Sequence, residues 1–148
     1  MKKLKRILAL FTVGILLLAL TACGSTVSPT VLYNENGIKI TSVRYSTTSN
    51  ALGPQLTVRI ENNSGRNITV QCRNTTVNGY TFGTFDSLMS VNVGNGQKAT
   101  GPITFMNSAL KNYGIWNVRE VTTCFYIYEM DNYFSRGITT DPITIRIR

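Results

Sequence analysis

The stretch VTTCFYIYEM, residues 121–130, decides the fold class. Its residues are β-branched and aromatic and alternate with period two, so Val121, Thr123, Phe125 and Ile127 predict a buried face. Cys124, Tyr126 and Tyr128 then fall on the opposite face. Outward from this strand the same alternation recurs. Ile143, Ile145 and Ile147 alternate with Thr144, Arg146 and Arg148 near the C-terminus. Before it come Ile103-Thr104-Phe105, then Leu88, Val91 and Val93, then Tyr80 and Phe82. Ile68, Val70 and Cys72, running on towards Val77, and Leu56, Val58 and Ile60 follow, and Ile38 and Ile40, with Val43, begin the series. Turn residues punctuate it at Asn36-Gly37, Glu61 to Gly65, Asn78-Gly79 and Gly94-Asn95-Gly96. Asn107 to Gly114 is the one helical segment outside the leader. Asn107 or Ser108 is the expected N-cap, and Gly114 the left-handed residue that ends the helix. Trp116 is expected to fill core under that turn. About seven or eight short strands with one short helix predict an all-β protein, a single sandwich over residues 31–148.

The N-terminus follows a different logic. Lys2, Lys3, Lys5 and Arg6 precede an apolar run from Ile7 to Leu20, which is too short for the roughly twenty residues of a membrane span. Leu20-Thr21-Ala22-Cys23 closes the run as an aliphatic residue, two small residues and a cysteine. The pattern is that of an exported chain cut before Cys23, whose thiol takes a diacylglyceryl group. Residues 1–22 are then a signal peptide and 23–30 a lipidated tether. Two acyl chains hold a protein stably where one does so only marginally. The expected location is the extracytoplasmic face of the cell membrane.

Export changes the charge balance. The leader carries four of the fifteen Lys and Arg, which leaves eleven cations against seven acids, a net +4 in place of +8. The cations are scattered, so nothing points to nucleic acid as a partner. There is no histidine, which removes the commonest general base and metal ligand. The carboxylates (Glu35, Glu61, Asp86, Glu120, Glu129, Asp131 and Asp141) lie at turns and strand ends, where solvation accounts for them. Asp131-Asn132 and Asp141 lack calcium-loop spacing. No cofactor, no metal site and no catalytic residue is expected.

Two cysteines remain beside Cys23. An exported domain permits a Cys72–Cys124 disulfide, yet alternation places the two on opposite faces, so one small buried thiol and one surface thiol is the other reading. Tyr126 and Tyr128 form a same-face pair, and with Tyr133 and Phe134 nearby they are a candidate binding patch for sugar rings or a partner.

Segments across the mature chain resemble small lipoproteins of Gram-positive bacteria of the clostridial type: Tyr33 to Ile40, Glu61-Asn62-Asn63-Ser64, Asn67 to Gln71, Val77-Asn78-Gly79-Tyr80 and Thr140 to Ile145. The resemblance implies an immunoglobulin-like sandwich and a membrane location, with Cys23 as the functional position. The expected function is a non-catalytic interaction module, with wall-polysaccharide binding through the tyrosines as the alternative. A protein partner calls for an exposed apolar patch or sheet edge, a glycan for a ring-floored groove, and an enzyme for a deep polar pocket.

Overall fold

The computed structural model describes residues 27–47, 51–132 and 136–148. The expected signal peptide (residues 1–22), Cys23, Tyr133 and Phe134 lie outside them. Eleven strands and one short helix make up the described residues, arranged as two antiparallel sheets. One sheet runs β1 (Thr30–Glu35), β2 (Ile38–Ser46), β3 (Gln55–Asn62), β8 (Gln97–Phe105), β6 (Ser87–Leu88). The other runs β10 (Ile138–Thr139), β9 (Glu120–Glu129), β4 (Ile68–Val77), β5 (Tyr80–Thr81), with β11 (Ile143–Arg146) also on β9 and β7 (Ser90–Val93) on β4. Apart from β1 and from β7, which leaves the first sheet between β6 and β8 to pair β4, these match the A-B-E-D and G-F-C-C′ orders of an immunoglobulin-like sandwich. The count exceeds seven or eight because β5, β6 and β10 are two residues long, too short to carry a period.

The core lies between the sheets. Ile40, Leu56, Val58, Ile60, Ile103 and Phe105 of the first meet Val70, Val77, Val93, Val121 and Phe125 of the second. Every one of these is essentially inaccessible. β9 carries the expected inner face, with Thr123 buried among the apolar residues and its hydroxyl 2.9 Å from that of Thr75. Asn36 and Gly37 both take positive φ (55° and 75°), the pairing that a two-residue hairpin between right-twisted strands requires.

Two ends follow from the register. The hairpin end carries the Asn36-Gly37 turn, the Asn63 to Gly65 turn and the Asn95-Gly96 turn. The helix end is crossed by α1 (Asn107–Asn112), which carries the chain from β8 in one sheet to β9 in the other. Ala109 and Leu110 bury the inner side of α1. Gly114 ends it at φ 65°, with Ile115 N–H donating to Leu110 O at 2.8 Å and Gly114 N–H to Lys111 O at 3.1 Å. The start differs from expectation. Met106, in extended conformation, holds the N-cap position, and neither Asn107 nor Ser108 caps the helix with its side chain. Trp116 differs too: it is 93 % exposed, because Ile115 and Val118 fill the space beneath the turn instead.

The N-terminal boundary also shifts. Val27, expected in the tether, is buried in the core cluster. Ser42 holds this segment, its hydroxyl accepting the Thr30 N–H at 3.0 Å. One extra residue in β2 between Ser42 and Arg44 then moves the inward phase from even to odd positions, so Tyr45 enters the core opposite Leu56. Burial pushes its phenol up to about 12. A phenol whose folded value exceeds its unfolded value near 10 supports folding fully below pH 10 and loses that support as pH rises towards 12. Tyr45→Phe is therefore expected to remove an alkaline stability loss of about 1–2 kcal/mol between those limits, as read by urea denaturation at pH 9 and pH 12. Parallel pH profiles for the two proteins would refute it.

Candidate functional site

The lateral opening of the sandwich forms where β4 loses its regular partner. β7 pairs β4 from Ile68 to Gln71, and β5 pairs it again only at Thr76 and Val77. Between them β4 carries one residue more than β9, because Arg73 lies opposite Cys124 and Thr76 opposite Thr122. Asn74 is that extra residue, and it takes φ 51°, a left-handed conformation that asparagine tolerates better than most side chains. Bulges of this kind re-aim neighbouring side chains.

A groove of about 1050 Å³ opens beside the bulge. β4 forms one wall with Gln71, Arg73, Asn74 and Thr76, while Thr81, Thr84, Ser87, Ser90 and Thr104 supply further hydroxyls. Phe82 and Met89 are its buried apolar members. The lining holds one cation, Arg73, and no carboxylate. Hydroxyls and amides accept and donate, and the guanidinium donates in a fixed fork. The lining therefore suits a hydroxyl-rich or anionic ligand.

Cys72 also lines the groove, with its sulfur 3.8 Å from the Ser87 carbonyl. Burial pushes its thiol up, and bonds to Thr75 and Ser87 offset only part of that rise. It stays a protonated, weakly nucleophilic group. The Cys72–Cys124 disulfide does not form, and both cysteines are free. They stand on adjacent strands of one sheet, but Cys72 lies opposite Phe125 and Cys124 opposite Arg73. One residue of offset points the two thiols to opposite faces. The outer thiol is not a surface thiol either, since Cys124 is buried.

The tyrosine pair lies on the outer face of β9, as the alternation implied. The ring centroids are 5.3 Å apart, and other side chains engage both rings. The Arg73 guanidinium sits 3.6 Å over the Tyr126 ring, and Gln71 donates to the Tyr128 hydroxyl at 3.2 Å. Tyr128 is buried, and the backbone of Gly137 comes so close to Tyr126 that a Cβ there would lie 2.5 Å from the ring. The tyrosines are therefore a support that orients Gln71 and Arg73 at the groove rather than an open platform. Tyr133 and Phe134, the other two members of the candidate patch, lie outside the described residues.

Sequence reasoning passed over the groove because its polar members are Thr, Ser, Asn and Gln, which read as ordinary strand and turn residues. The signal that could have marked it is Arg73-Asn74, a cation and a turn-former inside an otherwise strand-like run. Among the described residues no group of three or more His, Cys, Asp or Glu is placed to hold a metal, and no helix is long and apolar enough to cross a membrane. No protein-family model matches the chain, and no curated protein matches it either.

Proposed function

We propose that the chain is an exported, lipid-anchored, non-catalytic binding module that works at the outer face of the membrane. The observation that carries this reading is the groove beside Asn74, a largely polar seat walled by β4 and closed by residues of β5 to β8, with Arg73 and Gln71 held at it by Tyr126 and Tyr128. The leader and Leu20-Thr21-Ala22-Cys23 support the anchor, with a diacylglyceryl group on Cys23 as the membrane contact.

A second reading narrows the ligand to wall polysaccharide. The hydroxyl and amide lining with one guanidinium favours it, since sugars and their anionic substituents are recognised by such groups. On this reading the sugar contacts come from the groove, and the tyrosines act behind it.

Two measurements test the proposal. Cys23→Ala is expected to move the protein from the membrane fraction to the culture medium, and unchanged tight retention would refute the anchor. Arg73→Ala is expected to weaken retention on purified wall polymer about tenfold or more, the loss typical of a charge-assisted hydrogen-bonding group. Equal retention of the two proteins would sink the polysaccharide reading.

A further inference from the structure

Among the described residues nine large apolar side chains stand exposed, and five of them gather at the helix end: Leu52, Tyr80, Phe85, Tyr113 and Trp116. Backbone hydrogen bonds tie this group together. Leu52 O accepts the Asn107 N–H at 2.8 Å, and Asp86 O, next to Phe85, accepts the Met106 N–H at 2.9 Å. Tyr80 and Tyr113 stack with centroids 5.3 Å apart, and Tyr113 stacks on Phe82 at 5.7 Å. Trp116 is the one tryptophan of the chain and is 93 % exposed.

The N-terminal segment arrives at the same end. Val27 shares a cavity with Ile145, Arg146 and Arg148. The Ile147 N–H donates to Arg119 O at 2.8 Å. Asn78 then accepts from the Arg119 N–H through Oδ1 and donates to Asn117 O through Nδ2, each at 2.8 Å. Asn117 follows Trp116 in the chain, and Asn78 lies two residues before Tyr80. Cys23 is four residues before Val27, so it cannot lie more than about 14 Å from it. On the lipid-anchor reading, the lipid is tethered within that reach of Val27.

The charge of this end is positive. Lys111, Arg119 and Arg148 are exposed there, while Arg146 is bridged to Glu120 and Asp86 is bonded to the Gly83 N–H. Trp and Tyr favour the water–hydrocarbon boundary of a bilayer, and each Lys or Arg near an anionic surface adds about 1 kcal/mol of attraction.

We infer that the helix end is a membrane-docking face. Trp116, Tyr113 and Phe85 enter the headgroup layer of the leaflet that holds Cys23, and Lys111, Arg119 and Arg148 lie on its anionic headgroups. The hairpin end then points away from the membrane. This inference rests on the lipid-anchor reading and adds an orientation to it.

The test uses the full lipidated protein reconstituted into vesicles of phosphatidylglycerol and phosphatidylcholine, with Trp116 as the built-in reporter. The expected result is a blue shift of its emission, quenching by brominated acyl chains and protection from aqueous iodide. Lys111→Glu with Arg119→Glu is expected to lose most of the bromolipid quenching while the protein still floats with the vesicles. If the protein carries the lipid by intact mass and floats, yet Trp116 is quenched by iodide and untouched by bromolipid, the docking face is overturned and the anchor stands. Protection of Trp116 in native membranes but not in these vesicles would assign the face to a protein partner and overturn lipid docking. A mature chain without added lipid mass would overturn the anchor and the orientation with it.

Discussion

Replacing Asn62 by Asp is expected to cost the domain about 3–5 kcal/mol, a large part of the 5–15 kcal/mol that holds a typical domain folded. Asn62 ends β3 and is fully buried. Its Nδ2 donates to Arg66 O at 2.7 Å and to Val93 O at 3.0 Å, so it joins the turn after β3 to β7 of the other sheet. Its Oδ1 accepts the Ser64 N–H at 3.0 Å and the Ser64 hydroxyl at 2.7 Å. A carboxylate keeps the accepting side but puts an accepting oxygen where the amide donated to two carbonyl oxygens, which leaves a buried charge facing like partial charges. The deficit should narrow as pH falls, because a carboxyl raised above its unfolded value contributes more to folding when protonated. Urea denaturation of N62D beside Asn62→Ala measures it, with the alanine form expected to lose less. A loss under about 1 kcal/mol for N62D would show that the amide does not hold the two sheets together.

The second large effect is expected at Gly101. This residue is buried on β8 opposite Val58, and β7 crosses it from the other sheet. A Cβ there would lie 2.1 Å from a Val91 methyl, far inside contact distance. Gly101 does not take positive φ, so the requirement is space between the sheets and not backbone freedom. Gly101→Ala is expected to destabilise by about 2–3 kcal/mol, the upper range for overpacking. Val91→Ala removes the methyl in the way, so the double variant should be more stable than Gly101→Ala alone. Simple addition of the two single losses in a double-mutant cycle would show that the sheets relax apart and that the contact is unimportant.

Legibility in the sequence varied with how local the cause was. The inner face of β9, the hairpin at Asn36-Gly37 and the left-handed Gly114 follow from period and turn chemistry within a few residues. Tyr45 could not be read that way, since the inserted residue in β2 reverses its phase. Trp116 misled because size argues for burial, whereas its place past the end of α1 leaves it nothing to pack on. Cys72 and Cys124 were legible as a mismatched pair from alternation, but the burial of Cys124 on an outer face was not. On that face Cys124 lies opposite Arg73, which stacks on Tyr126, an arrangement that only the strand register brings about.

What the sequence determined by itself is therefore the fold class, one domain of alternating strands with the turns that join them, because period-two alternation and Asn-Gly chemistry act over short distances. What only the tertiary structure decided is which side chains meet. The groove beside Asn74, the gathering of Leu52, Tyr80, Phe85, Tyr113 and Trp116 at one end, and the proximity of Val27 to that end all join residues far apart in the chain. Their positions depend on strand order and bulges, and a one-residue shift in either moves a side chain to the other face of its sheet.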